Sequence, residues 1–430
     1  MTTPTRRLLP GLILLGLLLS PAVQAAYPLS VGCPWIPEAV NIKSHNFGYP
    51  DELANYSSAN LPNASAADGV QMQIKGRYPH ARYFSFQLAT GFSFGNLYDQ
   101  IADASLSSDG GIQPDANPAD LPPADFAADG DSYTVTIKYQ DVPQPPLARE
   151  PNVLYAGASK TLYHNRQVIM RVYLPDPGVD EFGGVPLPDL IYQGPLGTIN
   201  VNDTPDQIPC QALAAIWTHY SLLFNPAVPS INPKFAPVSV LGNLLGLYPN
   251  GDSNYLRAQP SLLFGPMVVV RSKAPSYPPL PPETIASPDV RYWSLCQNQL
   301  FSTKGVGCIV DRDMVLQDDG TFTAVISPAA ARPATADAAH GYNWLDWGPS
   351  ADAFVVIRQI LARPGFAGDY AQAVSHPFQS VQTSLGDWAP EITYCDPATF
   401  DSAAAAGGAA VMAACHAAYP AVVPALSSRH

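Results

Sequence analysis

The chain has 430 residues, enough for two domains of ordinary size. Charged residues make up only 13%, while Pro (46) and Tyr (21) are abundant, a balance that suits a β-rich, loop-heavy protein and not a helical one. A formal net charge of −13 argues against a nucleic-acid partner, which selects basic surfaces, and against docking on anionic membranes.

Arg6 and Arg7 precede an apolar run over 8–19, and Val23-Gln24-Ala25 has the small residues of a cleavage site. This is the layout of an export signal. The run is short for a membrane span and no later one is longer. The expectation is therefore a signal peptide over 1–25 and a periplasmic or secreted mature protein without a transmembrane segment. The six cysteines, Cys33, Cys210, Cys296, Cys308, Cys395 and Cys415, fit that compartment as disulfides. Cys296 and Cys308 have the separation of facing residues on adjacent strands. Cys395 with Cys415 would close the C-terminal segment, which leaves Cys33 with Cys210. No CxxC spacing points to zinc or thiol exchange.

An extended lead-in over 26–50 brings the chain to a first module over 51–200. Asn55-Tyr56 opens it, and a strand pattern over 70–75 follows. Then comes Arg82-Tyr83-Phe84-Ser85-Phe86-Gln87, whose polar and aromatic positions alternate as in a strand with one buried face. A loop over 107–131, rich in Asp, Pro, Gly and Ala, separates this from strands over 132–139 and 168–174. Residues 201–249 form a bridge: a helical apolar stripe within 205–227, then Pro-rich chain. The second module, 250–375, repeats the first in order. Asn254-Tyr255 answers Asn55-Tyr56. Arg291-Tyr292-Trp293-Ser294 answers Arg82-Tyr83-Phe84-Ser85, 209 positions later. Asp319-Gly320 answers Asp129-Gly130, Asn343-Trp344-Leu345 answers Asn152-Val153-Leu154, and Val355-Val356-Ile357-Arg358 answers Val168-Ile169-Met170-Arg171. The last segment, 376–430, carries an Ala-rich helix broken at Gly407-Gly408. The predicted fold is mainly β: two tandem antiparallel β-sandwich, jelly-roll-like modules from an internal duplication, with a few accessory helices.

Arg291-Tyr292-Trp293-Ser294, Asp319-Gly320, Asn343-Trp344-Leu345 and Ile357-Arg358 resemble the bacterial domain of unknown function 1214 type, often joined to a domain of unknown function 1254. The resemblance covers the second module well and the first more loosely. It departs at Val153, where a Trp is expected, and at Asp346-Trp347, where a Pro is. It implies an exported β-rich fold and no particular activity.

The repeated Arg-Tyr unit is the first candidate site. An arginine among aromatics binds a carboxylate or sulfate, or stacks on a ring. Arg82, Tyr83, Arg291 and Tyr292, with Trp347 at a rim and Trp344 in the core, would then hold a small organic or carbohydrate-like ligand between the modules. The competing reading makes each arginine a structural anchor, and its recurrence in both halves favours that. The second candidate is Gly91-Phe92-Ser93-Phe94-Gly95, a GxSxG match after a strand, which would make Ser93 a nucleophile with His164 and Asp176 or Asp180 as base and orienting acid; its bland counterpart is a Gly-rich turn. The third is acidic. Asp115, Asp120, Asp125, Asp129 and Asp131, with Asp311, Asp313, Asp318 and Asp319, would suit calcium, but they show no EF-hand spacing and read better as solvated acidic loops. No HxH or HExxH spacing suggests a catalytic metal. Three functions remain open: a ligand-binding protein, a serine hydrolase, and a structural or surface-assembly protein.

Overall fold

In the computed structural model, residues 31–90, 97–111, 132–145, 148–160, 166–204, 228–238, 250–278 and 287–420 are described. The predicted signal peptide, the helix within 205–227 and the aspartates of 115–131 lie outside these residues.

The protein is mainly β, with four sheets among the described residues. The first module contains β1 (Ile36–Val40), β2 (Ala54–Leu61), β3 (Gln71–Arg77), β4 (Ala81–Thr90), β5 (Leu97–Ala102), β6 (Ser132–Lys138), β7 (Val153–Tyr155), β8 (Arg166–Pro175), β9 (Asp189–Gly194) and β10 (Gly197–Asn200). Its sheets run β1-β2-β8-β4-β5 and β10-β9-β3-β6-β7. Between them Phe84, Phe86 and Leu88 of β4 pack with Met72, Ile74, Tyr133, Val135 and Met170.

The second module contains β11 (Ala236–Pro237), β12 (Ser253–Ala258), β13 (Met267–Lys273), β14 (Val290–Gln299), β15 (Gly305–Val310), β16 (Thr321–Ser327), β17 (Asn343–Asp346), β18 (Ala353–Ala362) and β19 (Glu391–Cys395). Its sheets run β11-β12-β18-β14-β15 and β17-β16-β13-β19. Strand for strand this is the order of the first module, with β10 lacking a counterpart. Asn55-Tyr56 and Asn254-Tyr255, Arg82–Ser85 and Arg291–Ser294, and Val168–Arg171 and Val355–Arg358 lie on matching strands, while Asp129-Gly130 lies outside the described residues and Asp319-Gly320 is in the turn before β16. Asn152 and Asn343 each hold a loop backbone by both amide groups, Asn152 at Ser107 and Asn343 at Val315.

The structure departs from expectation in three respects. The sheets are mixed: β6 pairs parallel with β7, and β16 with β17. The modules also reach beyond their expected bounds, because β1 comes from the lead-in, β11 from the bridge and β19 from the C-terminal segment. Finally, β4 is buried on both faces. So are β2, β8 and most of β14 and β18, whereas β3 and β6 alternate buried and open positions. The polar side chains of β4 face an enclosed surface rather than water.

The C-terminal helix is two helices, α3 (Pro397–Ala404) and α4 (Gly408–Ala418), preceded by the short α1 (Ala371–Ser375) and α2 (Val381–Leu385). Asp396 caps α3 by accepting from the Thr399 N–H, and Pro397 occupies the first turn, where a missing N–H costs nothing. Gly407, at φ 89°, supplies the break. Phe400, Val411 and Met412 cover Met267, Val269 and Val325. Two predicted disulfides are present, Cys296–Cys308 and Cys395–Cys415. Cys33 is also disulfide-bonded, and Cys210, its expected partner, lies outside the described residues. Cys395–Cys415 ties α4 to edge strand β19 across 20 positions of sequence. Replacing both cysteines by alanine is expected to lower unfolding free energy by about 3 kcal/mol, read by denaturant melts under non-reducing conditions; an unchanged midpoint would contradict the clasp.

Candidate functional site

Arg82 and Arg291 do not face an open cleft. They begin β4 and β14 at the seam between the modules and are 0% and 1% exposed. Each reaches into the other half. Arg82 Nη1 lies 3.2 Å from Asp311 Oδ2 and donates to the Arg291 carbonyl, and Arg291 Nη1 lies 3.0 Å from Asp103 Oδ2 and donates to the Arg82 carbonyl. Arg82 also stacks on the half-buried Tyr277 ring, 5.2 Å away. Tyr83 and Tyr292 obey the same exchange: Tyr83 Oη donates to Asp252 at 2.7 Å and Tyr292 Oη to Asp51 at 2.9 Å. Asp51 is further held by Ser294 and by Arg358 at 3.3 Å. The structure thus corrects the expectation that these four residues face a ligand: they are the bolts of the seam. Trp347 is corrected too. It is fully buried, donating its indole N–H to the Ser350 carbonyl, while Trp344 is the half-exposed ring, with Arg332 stacked 4.5 Å from its centre.

Of the hydrolase residues, Ser93 and His164 lie outside the described residues. Asp176 sits in a turn where its N–H donates to the His80 carbonyl, and Asp180 accepts from loop N–H groups at Phe182 and Gly184. Among the acidic candidates, Asp311 belongs to the seam, Asp313 pairs with Arg312 and Asp319 with Arg271. Among the described residues, Asp51, Cys296 and Cys308 are the one group of potential metal ligands lying within 4.8 Å of one another. The two sulfurs are bonded to each other and Asp51 is committed to Arg358, so this donor set does not fit a metal as it stands.

What the sheet register does assemble is a polar face that the seam encloses. On the outer side of β1-β2-β8-β4-β5, Asn60, Gln167 and Ala89 stand in one row across the strands. Ser58, Ile169, Gln87 and Gln100 form the next row, followed by Tyr56, Arg171, Ser85 and Ala102. Asn60, Gln87 and Gln167 are each no more than 1% exposed. Yet Asn60 Nδ2 and Oδ1, Gln167 Nε2 and Oε1, Gln87 Oε1 and Gln100 Oε1 have no hydrogen-bond partner among the described residues. Leaving one such group buried and unbonded costs about 1–3 kcal/mol; atoms without a partner among the described residues occur elsewhere too, as at Asn55 on the opposite face of β2, but here four amide side chains in adjoining rows share one face, where a bound group could complete the bonding.

The second module fills the same rows differently. Phe354 stands at the position of Gln167 and Val356 at that of Ile169, while Cys296 and Cys308, opposite one another and disulfide-bonded, replace Gln87 and Gln100. Tyr49 of the lead-in stacks on Phe354 with ring centres 4.1 Å apart, and Leu300 packs beside it. That face holds apolar side chains and a disulfide at these positions, together with Arg257, stacked 5.9 Å from the Phe354 ring centre, and buried Asn298; its polar atoms without a partner among the described residues include Asn298 Oδ1 and Arg358 Nε. Reading the sequence one repeat at a time misses the polar face. The available signal was the mismatch between copies, Gln against Cys and Gln against Phe, at positions that otherwise repeat.

Asp252 links seam and face. Its carboxylate accepts from Tyr83 and, at 2.8 Å, from Gln100 Nε2, and Asp103, Arg171 and Arg291 lie near enough to act on its charge. Burial pushes its pKa up to about 6, with Asp103 adding to the rise and the Tyr83 hydrogen bond and the two arginines opposing it. The native state therefore holds a proton that the unfolded chain releases at lower pH, so this contribution is present in acid and is lost as pH rises through about 6. Unfolding free energy measured at pH 5 and pH 7.5 should show Asp252→Asn losing about 1 kcal/mol of that decline relative to wild type; identical slopes would contradict an elevated Asp252. At the seam, Arg291→Ala strands buried Asp103 and is expected to cost about 3–5 kcal/mol. The pair Arg291→Met with Asp103→Leu should recover most of it, and an Arg291→Ala penalty below about 1 kcal/mol would contradict the bolt.

No protein-family model matches the chain, and no curated protein does. A crystal structure of an uncharacterised protein from Burkholderia cenocepacia is similar in fold, with a TM-score of 0.50 at 14% identity over 85% of this chain and 82% of that one.

Proposed function

We propose that this is an exported binding protein for a small, polar, carbohydrate-like ligand, held on the outer face of the first module's β2-β8-β4-β5 strands. The observation that carries it is the set of amide atoms on Asn60, Gln87, Gln100 and Gln167 that have no partner among the described residues, three of these side chains standing where the second module has Phe354 and a disulfide. Amide side chains that can both donate and accept suit the hydroxyls of sugars and polyols. Tyr56, which lies under Arg171 at 5.4 Å, borders the face with an aromatic ring. Disulfide-bonded cysteines support export, since such bonds persist in oxidising compartments. No described helix is long and apolar enough to cross a membrane. We also propose membership of the domain of unknown function 1214 type, on the motif residues that occupy matching strands.

The test is thermal unfolding of the mature protein against neutral mono- and disaccharides. A binder at about 100 times its dissociation constant adds about 2.7 kcal/mol of stability. Gln167→Leu should abolish that shift while raising the stability of the unliganded protein by about 1 kcal/mol, because it removes two buried atoms that lack partners. A ligand shift that survives Gln167→Leu, or a destabilised variant, would overturn the reading.

A second reading, the serine hydrolase, has one observation in its favour. Thr90 and Arg166 are paired across β4 and β8, and Ser93 follows the first while His164 precedes the second. A fluorophosphonate that labels wild type and not Ser93→Ala would support it; absence of labelling in folded protein would end it.

A further inference from the structure

We infer that Cys296, Cys308, Asp51 and Glu52 form a redox-gated metal site: a disulfide when oxidised, and a two-sulfur, two-carboxylate site for zinc when the bond is reduced. Three of the donors are already gathered. One ligand atom each from Asp51, Cys296 and Cys308 lie within 4.8 Å of one another, and Asp51 Oδ2 is 3.7 Å from Cys296 Sγ. A tetrahedral zinc with bonds of about 2.0–2.3 Å spaces its ligands roughly 3.3–3.8 Å apart, so small side-chain rotations suffice. Glu52, the next residue, accepts from the Cys308 N–H at 2.8 Å, and its own N–H donates to Cys308 Sγ at 3.3 Å. Glu52 is exposed and Cys308 part-exposed, so reductant and metal reach the site from that side; Cys296 and Asp51 are fully buried.

Reduction would not scatter the donors. Cys296 and Cys308 stand opposite one another on β14 and β15, and the pairs Leu295–Ile309 and Gln297–Gly307 on either side hold that register without the bridge. Asp51 stays in place through the Tyr292 and Ser294 hydroxyls and the Arg358 guanidinium, at 2.9, 2.6 and 3.3 Å. Opened, the bond leaves two thiols against two carboxylates with a single guanidinium facing them, a surplus of anionic ligands that a divalent cation balances. The other half of the molecule argues that these ligands belong together. Asp51 lies four residues before Asn55-Tyr56, as Asn250 lies four before Asn254-Tyr255, and each side chain crosses to the opposite module. The first module's counterparts of Cys296, Cys308 and Asp51 are therefore Gln87, Gln100 and Asn250, and all three differ together. A staple needs only the two cysteines; the carboxylate beside them is what a cation needs.

The chemistry balances with a dithiol as reductant. It gives two electrons and two protons to the Cys296–Cys308 bond and leaves as its own disulfide; the metal then displaces the two thiol protons. The test takes the full mature protein, reduced with dithiothreitol, desalted without oxygen and titrated with cobalt(II), whose thiolate charge-transfer absorption reports sulfur ligation. Wild type is expected to bind one more equivalent reduced than oxidised, and zinc to displace it. Reduced Cys308→Ser should lack that equivalent, which separates this site from the other cysteines. Glu52→Gln and Asp51→Asn should each weaken binding at least about tenfold, the loss typical of even an outer-shell partner. Exposed Glu52 keeps the test open if Asp51→Asn, which strands buried Arg358, fails to fold. Three results would each overturn the inference and leave the bridge a staple: a bond that stays closed to dithiol in folded protein, cobalt absorption that Cys308→Ser does not remove, or an affinity unchanged in Glu52→Gln.

Discussion

Each half of this molecule holds itself to the other by an arginine that crosses the seam. Arg82 takes the carbonyl of Arg291 and the carboxylate of Asp311; Arg291 takes the carbonyl of Arg82 and the carboxylate of Asp103. The exchange is reciprocal in the way of a twofold dimer interface, with both partners written into one chain. Buried ion pairs contribute little net stability over an apolar seam, but losing one member leaves a charge stranded, which makes them stringent about position. Tyr83 on Asp252 and Tyr292 on Asp51 add uncharged donors to the same register. Because the seam fixes how the modules meet, the outer faces of β2-β8-β4 and β18-β14 are buried, while β5, β12 and β15 keep part-exposed positions.

Enclosure puts opposite demands on two faces with one geometry. In the second module the demand is met largely with carbon and sulfur, Phe354 under Tyr49, Val356, Leu300 and the Cys296–Cys308 bridge, with Arg257 stacked on the Phe354 ring. In the first it is not met by the described residues. Asn60, Gln87 and Gln167 are as buried as those apolar residues and keep amide atoms without partners. Natural cores avoid this arrangement unless water, an ion or a ligand completes the bonding. The asymmetry falls at positions where the rest of the repeat is kept, which is why it carries the proposed binding function and why the repeated arginines do not.

Much of the architecture was legible in the sequence, because the signals are local. Turn residues, strand alternation and five repeated pieces in one order point to a pair of β modules, and the pieces at Asn55, Arg82 and Val168 lie on strands that match those of their second copies. The Cys296–Cys308 and Cys395–Cys415 bridges followed from spacing and position. What could not be read is tertiary. Alternation in Arg82-Tyr83-Phe84-Ser85-Phe86-Gln87 separates two faces but does not say that the second face meets another module instead of solvent. The same gap reversed Trp344 and Trp347: both flank a strand end, and only packing decides which ring is covered. Arg82 and Arg291 are visible as a repeated feature, but nothing local in the sequence marks their partners, Asp103 and Asp311, which follow β5 and β15 in the two copies.

The most direct test of this account is an electron-density map of the purified mature protein at a resolution that shows ordered solvent. The account predicts well-defined non-protein density within hydrogen-bonding reach of Asn60, Gln87 and Gln167, and none between Phe354, Val356 and the Cys296–Cys308 bridge. Direct contacts from protein groups to all of those amide atoms, with no non-protein density on the first module's face, would contradict it.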